Sequence, residues 1–179
     1  MSSTHVRNVF PYRGIHPRLD ATAFVAPTAS IVGDVTVGAE SSIWYGAVLR
    51  GDVMPIRIGA RTSIQDNTVV HATGGWCDAV VGDDCTVGHS VILHGCKVGS
   101  RVLVGMGSIL LDEAEIGDEV MIGAGSLVTA RARIPSGVLV HGRPAKVVRD
   151  LRPDELERIL EASALYRRYG REHAESLGG

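Results

Sequence analysis

Aromatic residues are scarce in this chain: eight Phe, Trp and Tyr among 179 residues. A core of any size must therefore be aliphatic and closed by tight turns, and the composition supplies both, with 45% hydrophobic residues and 22 glycines. Cysteine is equally sparse. Cys77, Cys85 and Cys96 are odd in number and lack CxxC spacing, which argues against a disulfide framework. Cys96 alone stands close enough to histidines to be weighed as a ligand. Basic runs are missing and the net charge is −2, so nucleic acid is not an expected partner. No apolar run is long enough to span a bilayer. The opening MSSTHVRNVFPYRGIHPRLD has no continuous apolar stretch of the kind a secretory signal needs. One domain with a small appendage, in a cytoplasmic protein free of membrane, is the expectation.

What is present is a period. Val, Ile or Leu recurs every six residues in four runs: Val25 to Leu49, Ile58 to Val70, Val81 to Leu93 and Val98 to Val140, nineteen positions in all. Glycine often follows, as at Gly38, Gly59, Gly82, Gly99 and Gly117, and charged or small residues dominate two positions later. Period six fits neither an amphipathic helix nor an alternating strand. It fits a parallel β-helix, in which each hexapeptide forms one short face and a turn, and about 18 residues close a triangular coil. The aliphatic residue points inward, and the glycine is expected to relieve the demanding backbone of the corner.

The register breaks three times. Three residues are extra around Met54 and Pro55, five within TGGWCDA, and one is missing between Leu93 and Val98. Insertions in a solenoid form loops, often on a binding side. The repeat ends near Val140. Residues 1–150 read as the solenoid with its lead-in, and 151–179 as a C-terminal amphipathic helix. Helical spacing of Leu156, Ile159, Leu160 and Ala164 covers 153–176, with Pro153, Asp154 and Glu155 suiting the start.

The three histidines near the breaks stand at awkward spacings. His89 and His94 are five apart, which no helix or strand face brings together. Column counting resolves this. Val70 and Leu93 begin the third face of successive coils, so His71 and His94 stack, with Arg50 in the same column. His89 stacks instead on Asp66, beside Gln65, on another side of the prism. Stacked strands lie about 4.7–4.9 Å apart, so His71 and His94 can reach one ion, and His89 can join them from a neighbouring chain. Three imidazoles with one open position form a catalytic zinc arrangement. Iron(II) or cobalt suits the same ligands. His5, His16, His141 and His173 lack such partners.

The segments RGDVMPIRIGARTSIQDNTVVHATGG, VGHSVILHGCKVG and GRPAKVVRDL resemble the γ-class carbonic anhydrase family of hexapeptide-repeat proteins, over about residues 10–170. The repeat itself is shared with many acyltransferases; the combination RGD…QDN…H…GHxxxLHG is more specific. The resemblance implies a left-handed parallel β-helix, a C-terminal helix, and a homotrimer with zinc at its interfaces. It implies that His71, His89 and His94 hold the metal, that Gln65 hydrogen-bonds the metal-bound solvent, and that Arg50, Asp52 and Asp66 form a charged group at the interface. An Arg–Asp pair there also serves as a plain structural contact. Tyr166, in ASALYRRY, matches a segment supplying an active-site tyrosine, although no asparagine stands beside it. Val53 and Gly74 occupy positions where the best-characterised type carries the glutamates of a proposed proton shuttle. The activity implied is reversible hydration of CO2 to bicarbonate. The alternatives are a hexapeptide acyltransferase, a CoA-thioester hydrolase, and a non-catalytic metal-holding trimer.

Overall fold

The computed structural model describes residues 8–178, which leaves His5 outside the described residues. The chain winds as a parallel β solenoid. Face two displays its rungs most plainly: Phe24–Val25, Ser42–Ile43, Ser63–Ile64, Thr86–Val87, Leu103–Val104, Met121–Ile122 and Val138–Gly142 pair in parallel succession. Faces three and one are joined into a 12-stranded sheet. The joint is the pair of long strands Ser30–Val37 and Val48–Ile58, which carry the chain round the corner between those faces. Each period-six aliphatic residue points inward. Ile31, Leu49, Val70, Leu93 and Leu110 are fully buried on face three, and Ile43, Ile64, Val87, Val104 and Ile122 on face two. Each buried Leu or Ile contributes about 1.5–3 kcal/mol, and the equal repeat lets like side chains stack coil on coil.

The glycines do a different job from the one the sequence suggests. Gly38, Gly59, Gly82, Gly99 and Gly117 are not at positive φ; the left-handed residue lies two positions later and is Glu40, Arg61, Asp84, Arg101 or Glu119. A side chain on Gly82 would run into the carbonyl of Gly99 one coil on. The glycine column permits close approach between coils, and the charged column takes the strained backbone.

All three register breaks fall at one corner, between face three and face one, on consecutive coils. Between Ser30–Val37 and Val48–Ile58 the register runs Gly33 to Gly51 and then Val35 to Ile56, so residues 52–55 bulge out. The next coil carries the 72–78 loop, closed by the amides of Trp76 and Cys77 donating to the Thr73 carbonyl. The third turns tightly at Gly95, at φ +59°.

Face two is covered from outside by the C-terminal helix, Pro153–Ser176, which lies against the strands at 24–25, 42–43, 63–64 and 86–87. Its buried stripe is Glu155, Ile159, Ser163 and Gly170, while Leu160 is exposed. Helical spacing alone put the apolar face on Leu156, Ile159, Leu160 and Ala164, of which only Ile159 is fully buried. The stripe turns because the helix sits close. A Cβ at Gly170 would touch Phe24 and Ser42, and the Ser163 hydroxyl donates to the Arg61 carbonyl at 2.9 Å. Before the helix, Ala145–Asp150 folds back antiparallel on Val138–Gly142 and ends the face-two sheet. No helix among the described residues is long and apolar enough to cross a membrane.

Candidate metal centre

The register places His71 directly opposite His94. Leu49 pairs with Val70 one coil before, which brings Arg50 into the same column. The rings of His71 and His94 are 5.3 Å apart, centroid to centroid, with His71 Nδ1 3.3 Å from His94 Nε2. Each ring's other nitrogen meets a carboxylate. His71 Nε2 lies 3.1 Å from Asp52 Oδ1, on the 52–55 bulge. His94 Nδ1 lies 2.8 Å from Asp112 Oδ1. A neutral imidazole donates from one nitrogen and accepts at the other. The carboxylates fix the protons on the far nitrogens and aim two lone pairs at each other. Two zinc–nitrogen bonds of about 2.0–2.1 Å meeting at the tetrahedral angle span about 3.3–3.4 Å, so this hydrogen-bonding distance is also one that two ligands on one ion would keep.

His89 belongs to a second group, at the corner between faces two and three. Its Nδ1 is 2.7 Å from Asp66 Oδ2, which leaves Nε2 with its lone pair outward. Gln65 beside it is buried. Among the described residues its side-chain amide has no hydrogen-bond partner. Tyr166 reaches this side from the helix, edge-on to Trp44 at 5.6 Å. Burial, with the Asp66 charge adding to it, raises its pKa, so the phenol keeps its proton at neutral pH. Among the described residues, no three His, Cys, Asp or Glu side chains of this one chain gather as a metal-holding group. One chain therefore offers two histidines at one corner and a third at another.

Sequence columns stacked His89 on Asp66, and the two are in contact here; Asp52, which the family resemblance gave only as part of an interface group, is also the partner of His71. Asp52 additionally accepts from Arg50 at 2.6 Å. Burial works to raise the Asp52 pKa, but the bonds from Arg50 and His71 outweigh it and hold the carboxyl below its ordinary value. Asp112 behaves alike: burial opposes, while His94, Cys77 and Thr73 bring it down. Asp112 was not foreseen. The signal was available, because it follows Leu110 by two as Gly95 follows Leu93, one coil on from the histidine. Cys96 is no ligand of this group. It is fully enclosed in the core, and burial pushes its thiol up to about 12. His173 is a packing residue, with Nδ1 3.0 Å from the Tyr45 hydroxyl and its ring on Trp44.

Residues 95–130 match the bacterial transferase hexapeptide family (six repeats). The chain is 50% identical over 154 residues to a carbonic anhydrase of Geobacillus kaustophilus, covering 84% of each protein. It is 44% identical over 163 residues to the mitochondrial gamma carbonic anhydrase 1 of Arabidopsis thaliana, covering 88% of this chain but only 59% of the plant protein's length. In three dimensions it resembles a hexapeptide transferase family protein from Anaplasma phagocytophilum, with a TM-score of 0.88 and 46% identity over 92% of this chain and 96% of that one.

Proposed function

Since the chain belongs to the γ-class carbonic anhydrase family of hexapeptide-repeat proteins, we propose that it is a carbonic anhydrase, hydrating CO2 reversibly to bicarbonate and a proton. The observation that carries this reading is the paired histidines, each oriented by its own carboxylate and spaced for one tetrahedral ion. His71 and His94 of one chain and His89 of a neighbour would hold the ion, zinc first, with iron(II) or cobalt suited to the same nitrogens. A bound ion of this kind supplies Lewis acidity that brings the pKa of water down to about 7.

The chain's own residues supply the rest. Asp52, Asp66 and Asp112 fix the tautomers, so the three nitrogens are preorganised without rearrangement. Gln65, buried and with an uncommitted amide, orients a reacting oxygen by hydrogen bonding. Arg50, exposed beside Asp52, places positive charge where the bicarbonate anion forms. The proton must leave by bulk solvent or buffer, because Val53 and Gly74 cannot carry it; the two sit against each other at the mouth of the corner.

The assembly is a homotrimer in this reading. The outward row of face three opens on Ser30 and continues as Val48, Val69, Ile92, Ile109 and Leu127, five apolar side chains in succession, of which Val69 and Ile92 are exposed and the rest half-buried. The corresponding row of face one runs Arg57, Val80, Lys97, Glu115 and Arg133. An apolar face beside His71 and His94 needs a partner, and a second copy arriving with its face-two corner brings His89.

Metal content and CO2 hydration, measured on one sample across a buffer series, test the proposal. About one ion per chain and a rate that climbs with buffer concentration are expected, with both lost in His89→Ala. Full metal without hydration at any buffer level would overturn the activity. Release of free thiol from a panel of CoA thioesters would then mark acyl transfer or thioester hydrolysis as the chemistry.

A further inference from the structure

Asp112 does more than accept from His94. Its second oxygen, Oδ2, accepts from the Thr73 hydroxyl at 3.1 Å, and the Cys77 thiol donates to Oδ1 at 3.3 Å. Thr73 and Cys77 both belong to the loop that leaves the chain directly after His71. This loop crosses the coil of His94 to reach a carboxylate one coil further on. Gly95 makes the crossing possible. A Cβ there would fall on Asp112 Oδ1 and on Cys77 Sγ together. One carboxylate thus joins the loop that follows one histidine to the ring of the other.

We propose that Asp112 is a positioning residue that sets the tautomer and rotation of His94, and that Thr73 and Cys77 make this setting depend on the 72–78 loop. The inference rests on the metal reading of His71 and His94. A histidine ligand whose far nitrogen loses its carboxylate typically costs about 10–100-fold in metal affinity. Three hydrogen bonds on Asp112 hold its carboxylate in one rotamer, so removing the two from the loop frees the carboxylate to turn and the imidazole with it.

The test is zinc affinity by chelator competition, together with the visible spectrum of the cobalt-substituted protein. Asp112→Ala is expected to bind zinc about 10–100-fold more weakly and to shift the cobalt bands. Asp112→Asn keeps an oxygen that accepts from Nδ1–H, and should recover most of the affinity and the spectrum. Thr73→Val with Cys77→Ala leaves the His94–Asp112 bond and should weaken zinc several-fold. Wild-type affinity and spectrum in Asp112→Ala would overturn the positioning role, as would an Asp112→Asn no better than alanine. A loop double variant indistinguishable from wild type would overturn the dependence on the loop. If Asp112→Ala does not fold, the asparagine and loop variants still decide each half. His94→Ala separates the premise: if it keeps wild-type zinc, the metal reading itself fails.

Discussion

At the foot of the helix a single carboxylate holds two guanidinium groups and a backbone amide. Glu155 accepts from Arg149 at 2.7 Å through each oxygen, from Arg152 at 3.1 Å, and from the Arg152 amide at 2.9 Å. The Arg149 bonds, foremost, lower its pKa from the ordinary 4.5 to about 2. A carboxylate depressed on folding contributes stability that is complete above its unfolded pKa and lost as pH falls through the folded one. The contribution therefore fades between about pH 4.5 and 2. Wild type should melt above Glu155→Gln at pH 7, and the gap should close across that window. A gap independent of pH would assign the effect to packing instead. At this scale the sequence was only partly legible. Columns find residues that share a rung position, so His71 and His94 were readable. Asp112 sits where the corner turns, and its distance to His94 depends on the chain tightening at Gly95.

At the scale of the coil, two columns run side by side along one corner. One is glycine, and the other alternates in sign from Glu40 through Arg61, Asp84, Arg101 and Glu119. Arg61 bonds Asp84 at 2.7 Å and Arg101 bonds Glu119 at 3.0 Å, while Glu40 turns to Arg167 and Arg171 of the helix. Placing a methyl at Gly82 would push against the Gly99 carbonyl, and overpacking of that kind costs about 1–3 kcal/mol. Gly82→Ala should lower the unfolding free energy by that amount, read as an earlier denaturation midpoint at unchanged slope, with the β spectrum retained; an unchanged midpoint would show that the coils can part. The repeat was legible because period six has no other economical fold. The helix face was legible only at Ile159, since Glu155, Ser163 and Gly170 have no hydropathic signature. It is chosen by how closely the helix must approach Phe24 and Ser42.

Across the whole molecule, the sequence placed the candidate ligands on two sides of one prism, and the structure keeps them there. Val69 and Ile92 are each 38% exposed on the face next to His71 and His94. Ile92→Asp puts a charge at the centre of that row. The expected outcome is a monomer by sedimentation that has lost its zinc although all three histidines remain. A trimer that keeps its zinc would sink the assignment of face three to the interface.

A stack of parallel coils invites continuation, because the edge of its last rung can template the first rung of another copy. On face two that invitation is withdrawn. Ala145–Asp150 runs against the direction of every rung before it, so a second solenoid arriving end-on would meet a strand of the wrong polarity. The small antiparallel strand thus acts on this face as a stop, breaking the polarity that end-on stacking into a fibre would have to continue.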